Sequence, residues 1–151
     1  MSGSKPQVRL IDAREAGVDA RGLQVLARGA AAATGAPYTS RSYRFPFALI
    51  AAHEAPVGVD LERVEPFDAD FLESICTPRE RGLVPAHARA LTSLWSSKEA
   101  LAKALGDAVL YDPRRLDSPM FWPGGEAGPW RAVPLDVAPS HNGWLCWRSV
   151  G

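Results

Sequence analysis

The sequence predicts an α+β fold. Segments with helical spacing are mixed with short apolar runs that pair as hairpins, and no internal repeat or linker divides the 151 residues. Gln7 to Ile11 alternates weakly and reads as a strand. Residues 20–33 are Ala-rich with Leu23, Leu26 and Ala27 on one side, which predicts a helix ending near Gly35 and Pro37. Tyr38 to Arg44 is polar, aromatic and basic and reads as a loop. FALIAA at residues 47–52 is an apolar run that predicts a buried strand, and Val57 to Val64 a second, the two forming a hairpin through His53 to Pro56. Asp68 to Ile75 predicts a short helix. Thr77-Pro78-Arg79-Glu80 reads as a helix start, with Thr as N-cap, Pro at the first helical position and Glu at the third. That helix runs to about Val84, where Pro85 breaks it. From Gly106 to Pro129 the chain is rich in Pro and Gly. Residues 131–137 and 144–150 then read as closing strands, joined through Ser140, Asn142 and Gly143.

The segment LTSLWSSKEALAKALG, Leu91 to Gly106, stands out. Leu91, Leu94, Trp95, Lys98, Leu101, Ala102 and Leu105 make one stripe of a helix that starts near Ala88, and Gly106 is a stop signal. Lys98 falls inside the apolar stripe, where an ammonium needs a partner or a route to water. Glu99 and Lys103 stand one turn apart on a neighbouring face, as a solvated pair would. Yet of 17 basic residues only Lys5, Lys98 and Lys103 are lysines, which suggests a need for a compact ammonium in this helix.

Composition bounds the rest. A formal net charge of zero gives no whole-molecule reason to expect nucleic acid or an anionic membrane as partner. Cys76 and Cys146 form no metal-site spacing and no disulfide framework, and His53, His87 and His141 form no short metal motif. The N-terminal stretch lacks the apolar run of a signal peptide, so a cytoplasmic protein is expected. Along Val57 to Glu62, side chains alternate, so Gly58, Asp60 and Glu62 share one face. Asp60 and Glu62 project the same way, roughly 6.5 to 7 Å apart along the chain. Two carboxylates that close repel unless they are solvated or bridged by a cation, and a hard ion such as Mg²⁺ suits them. An ordinary solvated strand face is the alternative.

Taken together, GVDLE at Gly58 to Glu62 and WSSKEALAKALG at Trp95 to Gly106 resemble the paired signature of the 4′-phosphopantetheinyl transferase superfamily. The resemblance covers about Ser42 to Ala108, with the Thr77–Glu80 helix start in its expected place. It implies a lobe of antiparallel strands with a central packed helix, and transfer of phosphopantetheine from coenzyme A to a serine of an acyl or peptidyl carrier protein. It implies Mg²⁺ held by Asp60, Glu62 and Glu99. Lys103 would steady the pyrophosphate, and Glu99, or a water it orients, would take the serine proton. Lys98 would back the site or pair with a carboxylate, and Glu80 would support it or simply cap its helix.

The chain also departs from the family pattern. Residues 1–56 look like a shortened first lobe before a motif-bearing lobe at 57–151, within one domain. Self-association into a homo-oligomer, or an unusually open cleft, is therefore expected. Where two-lobed members carry a Ser-His pair, this chain has Ser42, Tyr43 and Arg44. Arg41, Arg44 and Ser42 are expected to lie beside the carboxylates and grip phosphate in place of the histidine, with Tyr43 stacking on adenine or closing the pocket. After the helix, Gly106-Asp107-Ala108 lacks a second glycine. Other chemistry on the same carboxylates is one alternative. A non-catalytic partner-binding module is another, with Phe121, Trp122 and Trp130 as its contact surface unless they cover the core.

Overall fold

A computed structural model describes residues 4–107 and 110–150; Ala108 of the turn discussed above lies outside them. In chain order the elements are β1 (Gln7–Asp12), α1 (Ala13–Ala16), α2 (Ala20–Ala33), β2 (Tyr38–Arg44), β3 (Phe47–His53) and β4 (Val57–Arg63). Next come α3 (Ala69–Ile75), α4 (Pro78–Arg81) and α5 (Ala88–Leu105), then three single 3₁₀ turns between Pro113 and Gly125. β5 (Glu126–Ala127), β6 (Trp130–Leu135) and β7 (His141–Arg148) complete the described chain. The mixture of helices and antiparallel strands is the expected α+β class.

Two antiparallel sheets hold the fold, one ordered β1-β3-β2 and the other β4-β7-β6-β5. Here two local expectations fail. β3 and β4 are not a hairpin: β3 pairs with β1 and β2, while β4 pairs with β7, setting Asp60 opposite Trp144. The hairpin is β2–β3, because Tyr38 to Arg44 is a strand and not a loop. Its polar composition hides a specific use. Ser40 Oγ accepts from the Val59 amide at 3.0 Å, and Ser42 Oγ accepts from the Leu61 amide at 3.0 Å. The serines of β2 thus satisfy backbone donors on the free edge of β4, where no ladder exists to do so.

Alternation decides what each face buries. The odd residues Phe47, Leu49 and Ala51 of β3 and Val57, Val59 and Leu61 of β4 meet Leu145 and Trp147 in one core. Ala48 and Ile50 face the other way, under Leu23, Ala27 and Ala31 of α2. On the outer side of the second sheet, α5 packs Ala100, Leu101 and Ala104 onto Ala132, Trp144 and Cys146. Trp122 and Trp130 pack against that cluster and Phe121 against a neighbouring one, so these aromatics cover the core. α5 begins at His87, whose ring accepts from the Ala90 amide, and ends at Gly106 in the left-handed region (φ 83°). It lies close to β4 because Gly58 has no Cβ. A methyl there would fall on the Ala100 carbonyl oxygen and 2.7 Å from the Ala104 amide nitrogen.

Candidate active site

That close approach carries the even face of β4 under α5, and the candidate residues gather at the seam where β2, β4 and α5 meet. Asp60 is almost fully buried. Its Oδ1 faces Ser42 Oγ and Lys103 Nζ, each at 3.4 Å, while its Oδ2 is buried with no hydrogen-bond partner. The Lys103 ammonium is fixed by the Val59 carbonyl at 2.9 Å and the Arg41 carbonyl at 3.2 Å, so it stands over the β4 edge as a placed point charge. One turn back on α5, Glu99 accepts a 2.8 Å bond from the Tyr111 hydroxyl. At the far end of the seam, Glu62 is gripped by Arg44 through Nε at 3.1 Å and Nη2 at 2.8 Å.

The electrostatics follow from three carboxylates sharing a partly dry seam. Burial, and then the charge of Asp60, push the Glu62 carboxyl up to about 8, with Arg44 pulling the other way. Burial also raises Glu99, opposed by the Tyr111 hydrogen bond and raised again by Asp60. Tyr111 is pushed upward by burial, by Glu99 and by the charges of Asp60 and Glu62, so it stays a neutral donor. Tyr111 was not legible as a site residue. Its only signal is a lone phenol in the Pro- and Gly-rich stretch after the helix.

Of the residues singled out from sequence, Ser42, Asp60, Glu62, Lys103, Arg44 and Glu99 are brought together, and Arg41 and Tyr43 line a neighbouring cleft. The expected convergence of Asp60, Glu62 and Glu99 on one ion is not drawn up. Among the described residues, no three acidic, histidine or cysteine side chains are gathered tightly enough to hold a metal as they stand. Two of the three carboxylates are turned to partners of their own, Arg44 and Tyr111. Lys98 pairs with a carboxylate, one of the two arrangements expected for it, but that carboxylate is Glu80 and not one of the three candidate metal ligands. The lysine is fully buried, and donates to the Pro113 carbonyl at 2.8 Å and to the Ile75 carbonyl. Glu80 closes the capping box with Thr77 and also accepts from the Ser118 amide at 2.7 Å. This knot ties α4, α5 and the 113–118 segment beneath the seam. Arg44, expected to grip phosphate, has its guanidinium engaged by Glu62.

Two clefts flank the seam. One, of about 510 Å³, is lined by Ser40, Arg41, Tyr43, Lys103, Gly106 and Asp107 among others, and is polar and open. The other, of about 380 Å³, has Arg44 and Glu62 on its rim and Phe67, Phe71 and Trp95 on its wall. Those three rings stack edge to face, with centroids 4.9 and 5.5 Å apart. Thr92 also lines this groove, and its buried hydroxyl has no partner. No helix among the described residues is long and apolar enough to cross a membrane.

No curated protein matches the chain. Residues 56–125 match the model of the 4′-phosphopantetheinyl transferase superfamily. The match takes in β4 with its two carboxylates, the Thr77–Glu80 capping box, and α5 with Glu99 and Lys103. Residues 56–125, the stretch that carries both motifs, are therefore similar to the 4′-phosphopantetheinyl transferase superfamily.

Proposed function

We propose that the chain transfers 4′-phosphopantetheine from coenzyme A to a serine of an acyl or peptidyl carrier protein, with Mg²⁺ as cofactor, in the cytoplasm. The observation that carries the reading is the Asp60 carboxylate, buried with one oxygen unpartnered, beside Lys103 and between two glutamates whose ionised forms are disfavoured. A divalent cation would satisfy the orphaned oxygen and relieve both glutamates, and an all-carboxylate donor set suits a hard ion. Asp60, Glu62 and Glu99 are the residues that would hold it. Bound there, Mg²⁺ would neutralise charge on the pyrophosphate oxygens.

The chain's own residues supply the rest. Lys103, fixed by two backbone carbonyls, adds a second positive charge at the mouth of the polar cleft, where a pyrophosphate would lie. Arg41 offers a further donor to phosphate on the same wall. Tyr43, also on that wall, is placed to stack on an adenine. The aromatic groove suits the apolar stretches of the pantetheine arm. In the transfer, the serine oxygen forms a bond to the phosphorus that carries the pantetheine. The bond from that phosphorus to the bridging oxygen breaks, and adenosine 3′,5′-bisphosphate leaves with the electron pair. Glu99, or a water it orients, accepts the serine proton. Tyr111 holds Glu99 in place. The test is chromatography of the nucleotide product. Adenosine 3′,5′-bisphosphate should be released only when coenzyme A, Mg²⁺ and an apo carrier protein are all present. Release without the carrier, or none with any carrier, contradicts the reading.

A further inference from the structure

Arg44 holds the one site carboxylate that a guanidinium occupies. Its Nη2 lies 2.8 Å from both oxygens of Glu62, its Nε lies 3.1 Å from one of them, and its Nη1 donates to the Tyr43 carbonyl at 2.7 Å. Glu62 cannot present the same lone pairs to a cation while this grip lasts. The two partners differ in freedom. The Glu62 side chain is 13% exposed and the Arg44 side chain 41% exposed, so the arginine is the partner that can move. It also sits on the rim of the aromatic groove, next in the chain to Tyr43, which lines the cleft where the pyrophosphate is proposed to lie. Asp60 keeps an unpartnered buried oxygen on the same strand face, so the seam has coordinating capacity that is only partly blocked.

We infer that Arg44 is a latch on Glu62: an anionic group of the substrate draws the guanidinium off the carboxylate and frees it for the cation, so that substrate and metal bind cooperatively. Arginine binds a phosphate oxygen pair with the same fork geometry it uses for a carboxylate, so the exchange replaces one bidentate pair by another. By linkage, metal must tighten the substrate by the factor with which substrate tightens the metal. The latch makes the metal site weak until the anion arrives. It rests on the transferase reading only for the identity of the anion, here coenzyme A.

The experiment counts free Mn²⁺ by electron paramagnetic resonance, with Mn²⁺ standing in for Mg²⁺. It uses wild type, R44A, R44K and a control, R63A. Arg63 lies on the same groove, and its side chain donates to the Phe45 carbonyl and not to Glu62, so R63A removes an equal charge without opening the latch. Without coenzyme A, R44A should bind Mn²⁺ about tenfold or more tighter than wild type, the scale of a lost charged hydrogen-bond pair. R63A should change by less than about threefold, and R44K, which keeps the charge and loses the fork, should fall between. With coenzyme A, the factor by which it tightens Mn²⁺ should be larger in wild type than in R44A. The comparison is needed because the pyrophosphate attracts the ion in either protein. R44A binding Mn²⁺ no tighter than R63A, or equal coupling factors in wild type and R44A, would overturn the latch. Coenzyme A failing to bind any variant would instead count against the transferase reading, leaving the coenzyme-free arm to decide the latch.

Discussion

Gly58→Ala tests whether the closeness of β4 and α5 builds the site. The added methyl would meet backbone on two sides, the Ala100 carbonyl oxygen and the Ala104 amide nitrogen at 2.7 Å, with Lys103 Cβ at 3.0 Å. No side chain can rotate away to admit it, so strand and helix must separate. Overpacking of a core costs about 1 to 3 kcal/mol, occasionally more, and a clash with helix backbone belongs at the upper end. We expect about 3 kcal/mol lost in urea unfolding, and for a chain of this size a midpoint lower by roughly 6 to 12 °C. The functional loss should exceed what stability explains. Lys103 is fixed by the carbonyl of Val59, one residue along β4, at only 2.9 Å, and separation breaks that contact. A folded Gly58→Ala protein should therefore lose carrier loading at temperatures well below its melting point. A variant within about 0.5 kcal/mol of wild type, loading carrier at the same rate, would refute the idea that this glycine sets the seam.

Three further outcomes are expected. Lys98→Met should cost about 3 to 5 kcal/mol in urea unfolding, because it strands a buried Glu80 carboxylate, whereas a loss below about 1 kcal/mol would deny the pair its buried character. Tyr111→Phe removes the hydrogen bond that lowers the Glu99 pKa. The acid limb of the pH–rate profile should then move to higher pH with the fold unchanged, and an unmoved limb would remove Tyr111 from the mechanism. Glu62 rises from its ordinary 4.5 to about 8 in the folded chain, so its contribution to stability is complete below the lower value and is lost as pH rises through the upper one. Urea unfolding should show that decline across the window, Glu62→Gln should flatten it, and saturating Mg²⁺ should reduce it at the alkaline end. A decline unaffected by Glu62→Gln would assign it to another group.

Much of this was legible because several elements announce themselves locally. The 3.6-residue stripe and Gly106 give α5, the Thr-Pro-Arg-Glu run gives the capping box, and the alternation of GVDLE puts Asp60 and Glu62 on one face. What failed was pairing. A strand's partners depend on contacts distant in sequence, and β4 finds its partner in β7, some eighty residues on. β2 was hidden for a physical reason, since its serines serve as backbone partners for β4 and so look like a polar loop. The segment was nonetheless expected beside the carboxylates, and it is there, brought by the β2–β4 edge and not by a β3–β4 hairpin. Lys98 shows the limit of residue type as a guide. An ammonium in an apolar stripe demands a carboxylate, but nothing in the sequence says whether that is Asp60 of the seam or Glu80 of the knot beneath it. Arg44 is the same problem in reverse, a donor suited to phosphate that the fold hands to Glu62.

The most direct measurement is the intact mass of apo carrier proteins after incubation with this chain, coenzyme A and Mg²⁺, using fatty-acid, polyketide and peptide carriers, with Asp60→Asn as the comparison. The account predicts that at least one carrier gains the mass of one phosphopantetheine on its serine with the wild-type chain, and that Asp60→Asn abolishes the gain while remaining folded. No gain on any carrier, or an equal gain with Asp60→Asn, would contradict it.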